Sequence, residues 1–224
     1  MTSTATIYWV NTERFVATPE TLALLTDEER AQHQRFIPPG KKHEYLIARW
    51  LSKTVLGELL GHAPEFTKNE WGCPALKGDT KLRFNITHTD GLVAMIVSDD
   101  FDVGCDTELL SRAPKLLALG PNVFAPKELA DLNALPSDQQ QQRAVTLWTL
   151  KESYIKARGM GLALALDGFA FRFDAERTRL EVEPRLNDDG TAWQFETITH
   201  GLHLISAAVR RTESVSIRLL ERSQ

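Results

Sequence analysis

The sequence predicts an α+β protein built from two similar halves, and three observations carry that prediction. A long helical stripe appears twice, once over residues 42–60 and again in the run that ends at Gly159. Trp50, Lys53 and Gly61 recur at one constant spacing as Trp148, Lys151 and Gly159. Each helix is followed by strand-like segments, and GLVAMIVS is echoed by GLHLISAAV. The division falls at residues 109–114, which gives halves 1–110 and 111–224.

The elements follow in order. Residues 7–10 read as a short strand. Thr26 followed by Asp27, Glu28 and Glu29 opens a helix, with a capping hydroxyl and acids in the first turn. It runs towards Phe36 and stops before Pro38-Pro39-Gly40. The next helix buries Ile47, Trp50, Leu51, Val55 and Leu59 and ends at Gly61. Residues 69–79 read as a loop. Residues 83–86 are extended, Asp90-Gly91 is a turn, and residues 92–97 and 103–108 are strands. Residues 111–136 are mixed, with a helix start at Pro126. The glutamines before Arg143 form a solvated helix face or loop. Beyond Gly161, FAFRF, LEVEP, a hairpin around His200-Gly201 and a last strand at SVSIRLL complete the chain.

Composition narrows the function. The 224 residues are 42% hydrophobic and 25% charged with a net charge of −4, an ordinary globular balance that argues against a general nucleic-acid binder. The two cysteines, Cys73 and Cys105, have no metal-ligand spacing and read as free thiols of a cytoplasmic protein. The first residues show no secretory leader, and no apolar run approaches the roughly 18 residues of a membrane span. HExxH, GxxxxGK[ST], GxSxG and GxGxxG are absent.

Two stretches carry candidate chemistry. Asp106 and Glu108 are two apart on a strand, so both carboxylates share one face. Such pairs are common at solvent-facing strand ends, but with a third acid they suit a hard cation such as Mg²⁺. In WTLKESYIKARGMG, Glu152 and Lys156 are one helical turn apart. That spacing serves an ordinary surface ion pair of a few tenths of a kcal/mol. It also serves a site in which Glu152 meets a metal and Lys156 the phosphate beside it. Arg49 and Lys53 form a basic helix face, and Thr87-His88 offers two polar contacts to a phosphate.

VGCDTEL together with WTLKESYIKARGMGL resembles the paired signature of the Sfp-type 4′-phosphopantetheinyl transferases. FNITHTDGLVA and WGCPAL resemble two further segments of that family, in the right order, so the resemblance spans roughly residues 30–173. It implies a pseudo-twofold pair of similar α/β halves in one chain, with coenzyme A and Mg²⁺, or Mn²⁺, in the cleft between them. The implied reaction moves the phosphopantetheine arm of coenzyme A onto a serine of an apo acyl, aryl or peptidyl carrier protein, releasing adenosine 3′,5′-bisphosphate. Fatty-acid, polyketide, non-ribosomal peptide and lysine-pathway carriers all remain open. By position, Asp106, Glu108 and Glu152 are the implied metal ligands, and Lys156 contacts the phosphates. Thr87 and His88 hold the 3′-phosphate side, and Arg49 adds a phosphate contact. Glu152 and Lys156 are the implied catalytic residues, with Glu152 or a water on the cation as base. The segment from Gly161 to Phe171 lies near the docked carrier. Cys73 replaces a family lysine, for which Lys77 is a candidate substitute, and Glu29 and Gln32 stand where some members carry lysines. Two halves in one chain imply a monomer, while the charge balance and the lack of a long apolar run imply no nucleic-acid and no membrane partner. Two rival readings are a metal-dependent phosphohydrolase and a non-catalytic module that binds coenzyme A or a carrier.

Overall fold

Two helices of 22 residues each, both closed by a left-handed glycine, organise the chain. The structure is a computed structural model that describes residues 3–78, 80–174, 177–211 and 213–224. In chain order the elements are β1 (Ser3–Asn11), α1 (Pro19–Ala23), α2 (Asp27–Arg35), α3 (Pro39–Leu60), β2 (Phe66–Lys68), β3 (Pro74–Leu76), β4 (Leu82–Thr89), β5 (Leu92–Asp99) and β6 (Val103–Leu109). Then come α4 (Ala113–Val123), α5 (Pro126–Asn133), α6 (Ser137–Arg158), β7 (Phe169–Phe173), β8 (Thr178–Val182), β9 (Trp193–His200), β10 (His203–Arg210) and β11 (Val215–Glu221).

The repeat is a sheet with a helix on it. One sheet has the order β11-β1-β5-β4, and the other has β6-β10-β9. β5 is antiparallel to both β1 and β4, as β10 is to both β6 and β9. β5 and β10 are therefore the central strands of matching units, and both are buried on two faces. Period-two alternation divides β5 between neighbours. Val93, Met95 and Val97 pack with Leu46, Ile47, Leu51 and Val55 of α3. Leu92, Ala94 and Ile96 pack with Ile205, Ala207 and Val209 of β10. On its other face β10 presents Leu204 and Ala208 to the cluster that holds Leu147, Leu150 and Tyr154 of α6.

Some expectations change. The strands pair across the division at residues 110/111. β6 is numbered in the first half but pairs with β10, and β11 returns from the second half to run parallel to β1. The repeated units are thus β1 to β5 and β6 to β10, with β11 added to the first sheet. Residues 69–79 are not all loop, since they contain β3, which pairs with β2 just before them in a hairpin; Asp79 lies outside the described residues. His88 is on β4 itself. Leu59 is half-exposed rather than core. The mixed region contains a full helix, α4, with Pro114 in its first turn.

Candidate active site

Gly104 sets how closely α6 can approach β6. A Cβ at this position would lie 2.1 Å from the Ser153 carbonyl oxygen and 2.5 Å from the Ala157 nitrogen. The helix backbone therefore rests directly on the strand, as only glycine allows. That contact brings Lys156 over the strand. Its Nζ lies 2.6 Å from Asp106 Oδ1, and it donates to Thr87 Oγ1 at 3.0 Å and to the Cys105 carbonyl at 3.3 Å. Thr87 in turn donates to Asp106 Oδ1 at 3.0 Å. β4, β6 and α6 converge on one carboxylate oxygen.

Asp106 and Glu108 do share a strand face, and that face is buried, not a solvent-facing strand end. Glu108 Oε1 accepts from Thr89 Oγ1 at 3.0 Å and from the Leu109 N–H at 2.9 Å, with Arg112 Nη2 3.7 Å from Oε2. Thr87 and Thr89 on β4 thus match Asp106 and Glu108 on β6, two hydroxyls for two carboxylates. Glu152 is different. Among the described residues its carboxylate accepts no hydrogen bond, and the ordinary Glu152–Lys156 pair does not form. Burial pushes the Glu152 carboxyl above its usual range and Asp106 adds to the rise, with Lys156 opposing. Burial also raises Asp106, against the pull of Lys156 and Thr87. For Lys156, burial works against the charge, but Asp106 and its neighbours outweigh it, so the ammonium is held.

A second set of residues lies along β4 and α3. His88 Nδ1 is 2.7 Å from Glu44 Oε2, and Lys41 Nζ donates to the same oxygen at 2.8 Å. Glu44 is buried, which orients a half-exposed imidazole ring. Arg49 faces away from this group. Its Nη1 is 3.6 Å from Glu29, its guanidinium lies over Tyr45 and Phe66, and its buried Nε has no partner among the described residues. Glu29, read as a missing lysine, caps α2 and also binds Lys53.

Next to Lys156 is a cavity of about 330 Å³, with Cys73, Pro74, Leu76, Phe84 and Gly159 in its wall. Lys77, the candidate substitute for the lysine missing at Cys73, is exposed, paired with Glu65 at 2.9 Å, and not part of this cavity's wall. Lys151, three residues after Trp148, has a structural task. Its Nζ binds Glu128 at 2.9 Å and the carbonyls of Leu166 and Phe169, each at 2.9 Å, so all three donors are satisfied. This pins the chain after Gly161, two short 3₁₀ turns leading into β7, to α6. The side chain of Leu162 in that segment lies outside the described residues.

Sequence reasoning missed Thr89, Glu44 and the Gly104 contact. The Thr-x-Thr on β4 opposite Asp-x-Glu on β6 was the available signal, but it requires knowing that these strands are neighbours.

Residues 102–210 match the family described as the 4′-phosphopantetheinyl transferase superfamily. A 4′-phosphopantetheinyl transferase of Bacillus subtilis is 32% identical over 67% of this chain and 67% of its own length. A second B. subtilis 4′-phosphopantetheinyl transferase, ffp, is 31% identical over 79% of this chain and 80% of its own length. The chain belongs to the 4′-phosphopantetheinyl transferase family. This enzyme therefore transfers 4′-phosphopantetheine from coenzyme A to carrier proteins. The segment matched by the superfamily coincides with the unit from β6 to β10. A crystal structure of a holo-(acyl-carrier-protein) synthase from Bacillus anthracis in complex with coenzyme A is 18% identical, with a TM-score of 0.41, over 48% of this chain and 93% of that one.

Proposed function

We propose that transfer takes place where β4, β6 and α6 meet, with Glu152 and Lys156 as catalytic residues. The observation that carries this reading is the contrast on one helix face. Lys156 is held by Asp106 and Thr87, while Glu152 is left with unmet oxygens beside them.

The donor set suits a hard cation. Asp106 Oδ2 and both oxygens of Glu152 accept no hydrogen bond among the described residues, and all the candidate ligands are carboxylates. No three such groups stand close enough to form a complete cage among the described residues. Mg²⁺ needs none, since it keeps few protein ligands and completes its shell with phosphate and water. Asp106, Glu108 and Glu152 would hold Mg²⁺, or Mn²⁺, which when bound offsets charge on the pyrophosphate. Lys156 binds a pyrophosphate oxygen and steadies the charge that develops there. Glu152 takes the proton from the carrier serine hydroxyl. The serine Oγ attacks the phosphorus next to the pantetheine arm. The bond from that phosphorus to the bridging oxygen breaks, and adenosine 3′,5′-bisphosphate leaves with the electron pair.

Thr87 and His88 hold the 3′-phosphate side of coenzyme A, with Arg49 as an added contact once it turns from Glu29. The carrier docks near the segment pinned by Lys151. The reading includes a monomer, supported by the internal pairing of two like units, and a cytoplasmic protein, supported by two free thiols. No described helix is long and apolar enough to cross a membrane.

The test is the product formed from coenzyme A, Mg²⁺ and an apo carrier. Holo-carrier formation with release of adenosine 3′,5′-bisphosphate fits the proposal. Free phosphopantetheine would mean that water is the acceptor.

A further inference from the structure

Asn69 joins the two units across the cleft. Its Oδ1 accepts from the Trp71 N–H and the Cys73 N–H, both at 2.9 Å, which shapes the turn between β2 and β3. Its Nδ2 donates 2.8 Å to the carbonyl of Gly159, ninety residues away at the end of α6. One amide thus folds the WGCP turn of the first unit and fastens it to the helix that carries Glu152 and Lys156. Gly159 is fitted to this contact twice over. Its φ of +63° closes the helix, and a Cβ there would lie 3.1 Å from Asn69 Nδ2. The turn so fastened contributes Cys73 and Pro74 to the cavity beside Lys156.

We propose that Asn69 is a positioning residue for coenzyme A, holding the Trp71–Pro74 turn against the end of α6 so that the cavity beside Lys156 keeps its shape. The proposal rests on the reading that this cleft binds coenzyme A. Asn69 touches neither reacting atoms nor the catalytic pair, so it acts through the cavity wall alone.

Asn69→Asp separates the two halves of the amide's work. The carboxylate keeps the acceptor for Trp71 and Cys73 but loses the donor to Gly159. It also sets negative charge against a carbonyl at a helix C-terminus, where charge of that sign is disfavoured. The expected result is roughly tenfold weaker coenzyme A binding by calorimetry, in line with the loss of one hydrogen bond plus repulsion. In the transfer assay the loss should fall on KM, with kcat within about twofold. Cys73 serves as an independent probe: its alkylation should speed up several-fold in Asn69→Asp while the buried Cys105 stays unreactive. Glu70→Gln, on the same turn and exposed, should change neither measurement. Wild-type coenzyme A affinity in Asn69→Asp would overturn the proposal, whether or not Cys73 becomes more reactive. An unchanged Cys73 rate would overturn the clamp. Coenzyme A binding and alkylation both run without a carrier protein, so failure of the transferase mechanism would show separately, as absence of holo-carrier with the wild-type chain.

Discussion

Lys156 lies 2.6 Å from Asp106 across the α6–β6 contact, whereas Lys151, on the same helix, is sealed from solvent against Glu128. Two lysines that look alike in WTLKESYIK therefore serve different ends. One lines the cavity between the units and, in the proposed mechanism, exchanges partners with substrate. The other fastens the helix to the segment behind it.

His88 is held by Glu44 and is half-exposed on β4. His88→Ala should weaken coenzyme A binding by roughly tenfold, the worth of a charge-assisted contact, with a smaller effect on kcat. Calorimetry of coenzyme A binding checks this, and unchanged affinity would take His88 out of the site.

Gly104→Ala should cost both stability and activity. Its Cβ would meet the backbone of Ser153 and Ala157, which cannot swing aside as a side chain could. Overpacking of this kind costs about 1–3 kcal/mol or more. Urea unfolding reads the stability loss. Transfer at saturating coenzyme A should fall as well, because the strain lifts Lys156 and Glu152 off β6.

Lys151→Met should destabilise the fold by about 3–5 kcal/mol, as expected when one member of a buried ion pair is removed. The loss should depend on pH. Burial raises the Glu128 carboxyl above its usual range even with Lys151 present, Lys151 and two backbone N–H groups opposing the rise. A group with a raised folded pKa lends stability below its unfolded pKa and loses it as pH rises through the folded value. The gap between variant and wild type should therefore be smallest in acid and widen towards neutrality. Glu128→Gln combined with Lys151→Met should narrow the gap. Urea titrations at several pH values decide the matter, and a gap independent of pH would contradict the account.

Glu29 offers the opposite sign. Burial opposes its charge, but the Lys53 hydrogen bond, the Thr26 N–H and the Lys53 and Arg49 charges outweigh it and hold the carboxyl below its usual range. Its contribution to stability is present above the unfolded pKa and is lost as pH falls through the folded value. Glu29→Gln should remove that part of the acid dependence. It also frees Arg49, so coenzyme A should bind more tightly if Arg49 makes the phosphate contact. Equal or weaker affinity would remove Arg49 from the binding set.

The two long helices were legible because their stripes and closing glycines are local signals, and both end in left-handed glycine as read. The shared face of Asp106 and Glu108 was legible for the same reason, since alternation along a strand is local. The sheet to which β6 belongs was not, because pairing with β10 joins residues about a hundred positions apart and leaves no mark on periodicity. The partners of Lys156 and Lys151 were hidden likewise. Helical spacing gives the face of each residue but not the element opposite. Arg49 shows the limit most clearly: a basic residue on the expected helix proves to be engaged by an acid from α2 that sequence reading had counted as a first-turn acid and a missing lysine, not as its partner.

The central claim is that Asp106, Glu152 and Lys156 form the transfer site. Intact-mass analysis of an apo carrier after incubation with coenzyme A and Mg²⁺ tests it, using the wild-type chain, Asp106→Ala and Glu152→Gln, with folding of each variant verified by circular dichroism. The account predicts the mass gain of one phosphopantetheine with wild type, its loss on adding EDTA, and a rate at least roughly a hundredfold lower in both folded variants. Wild-type rates from either variant in Mg²⁺ would contradict it.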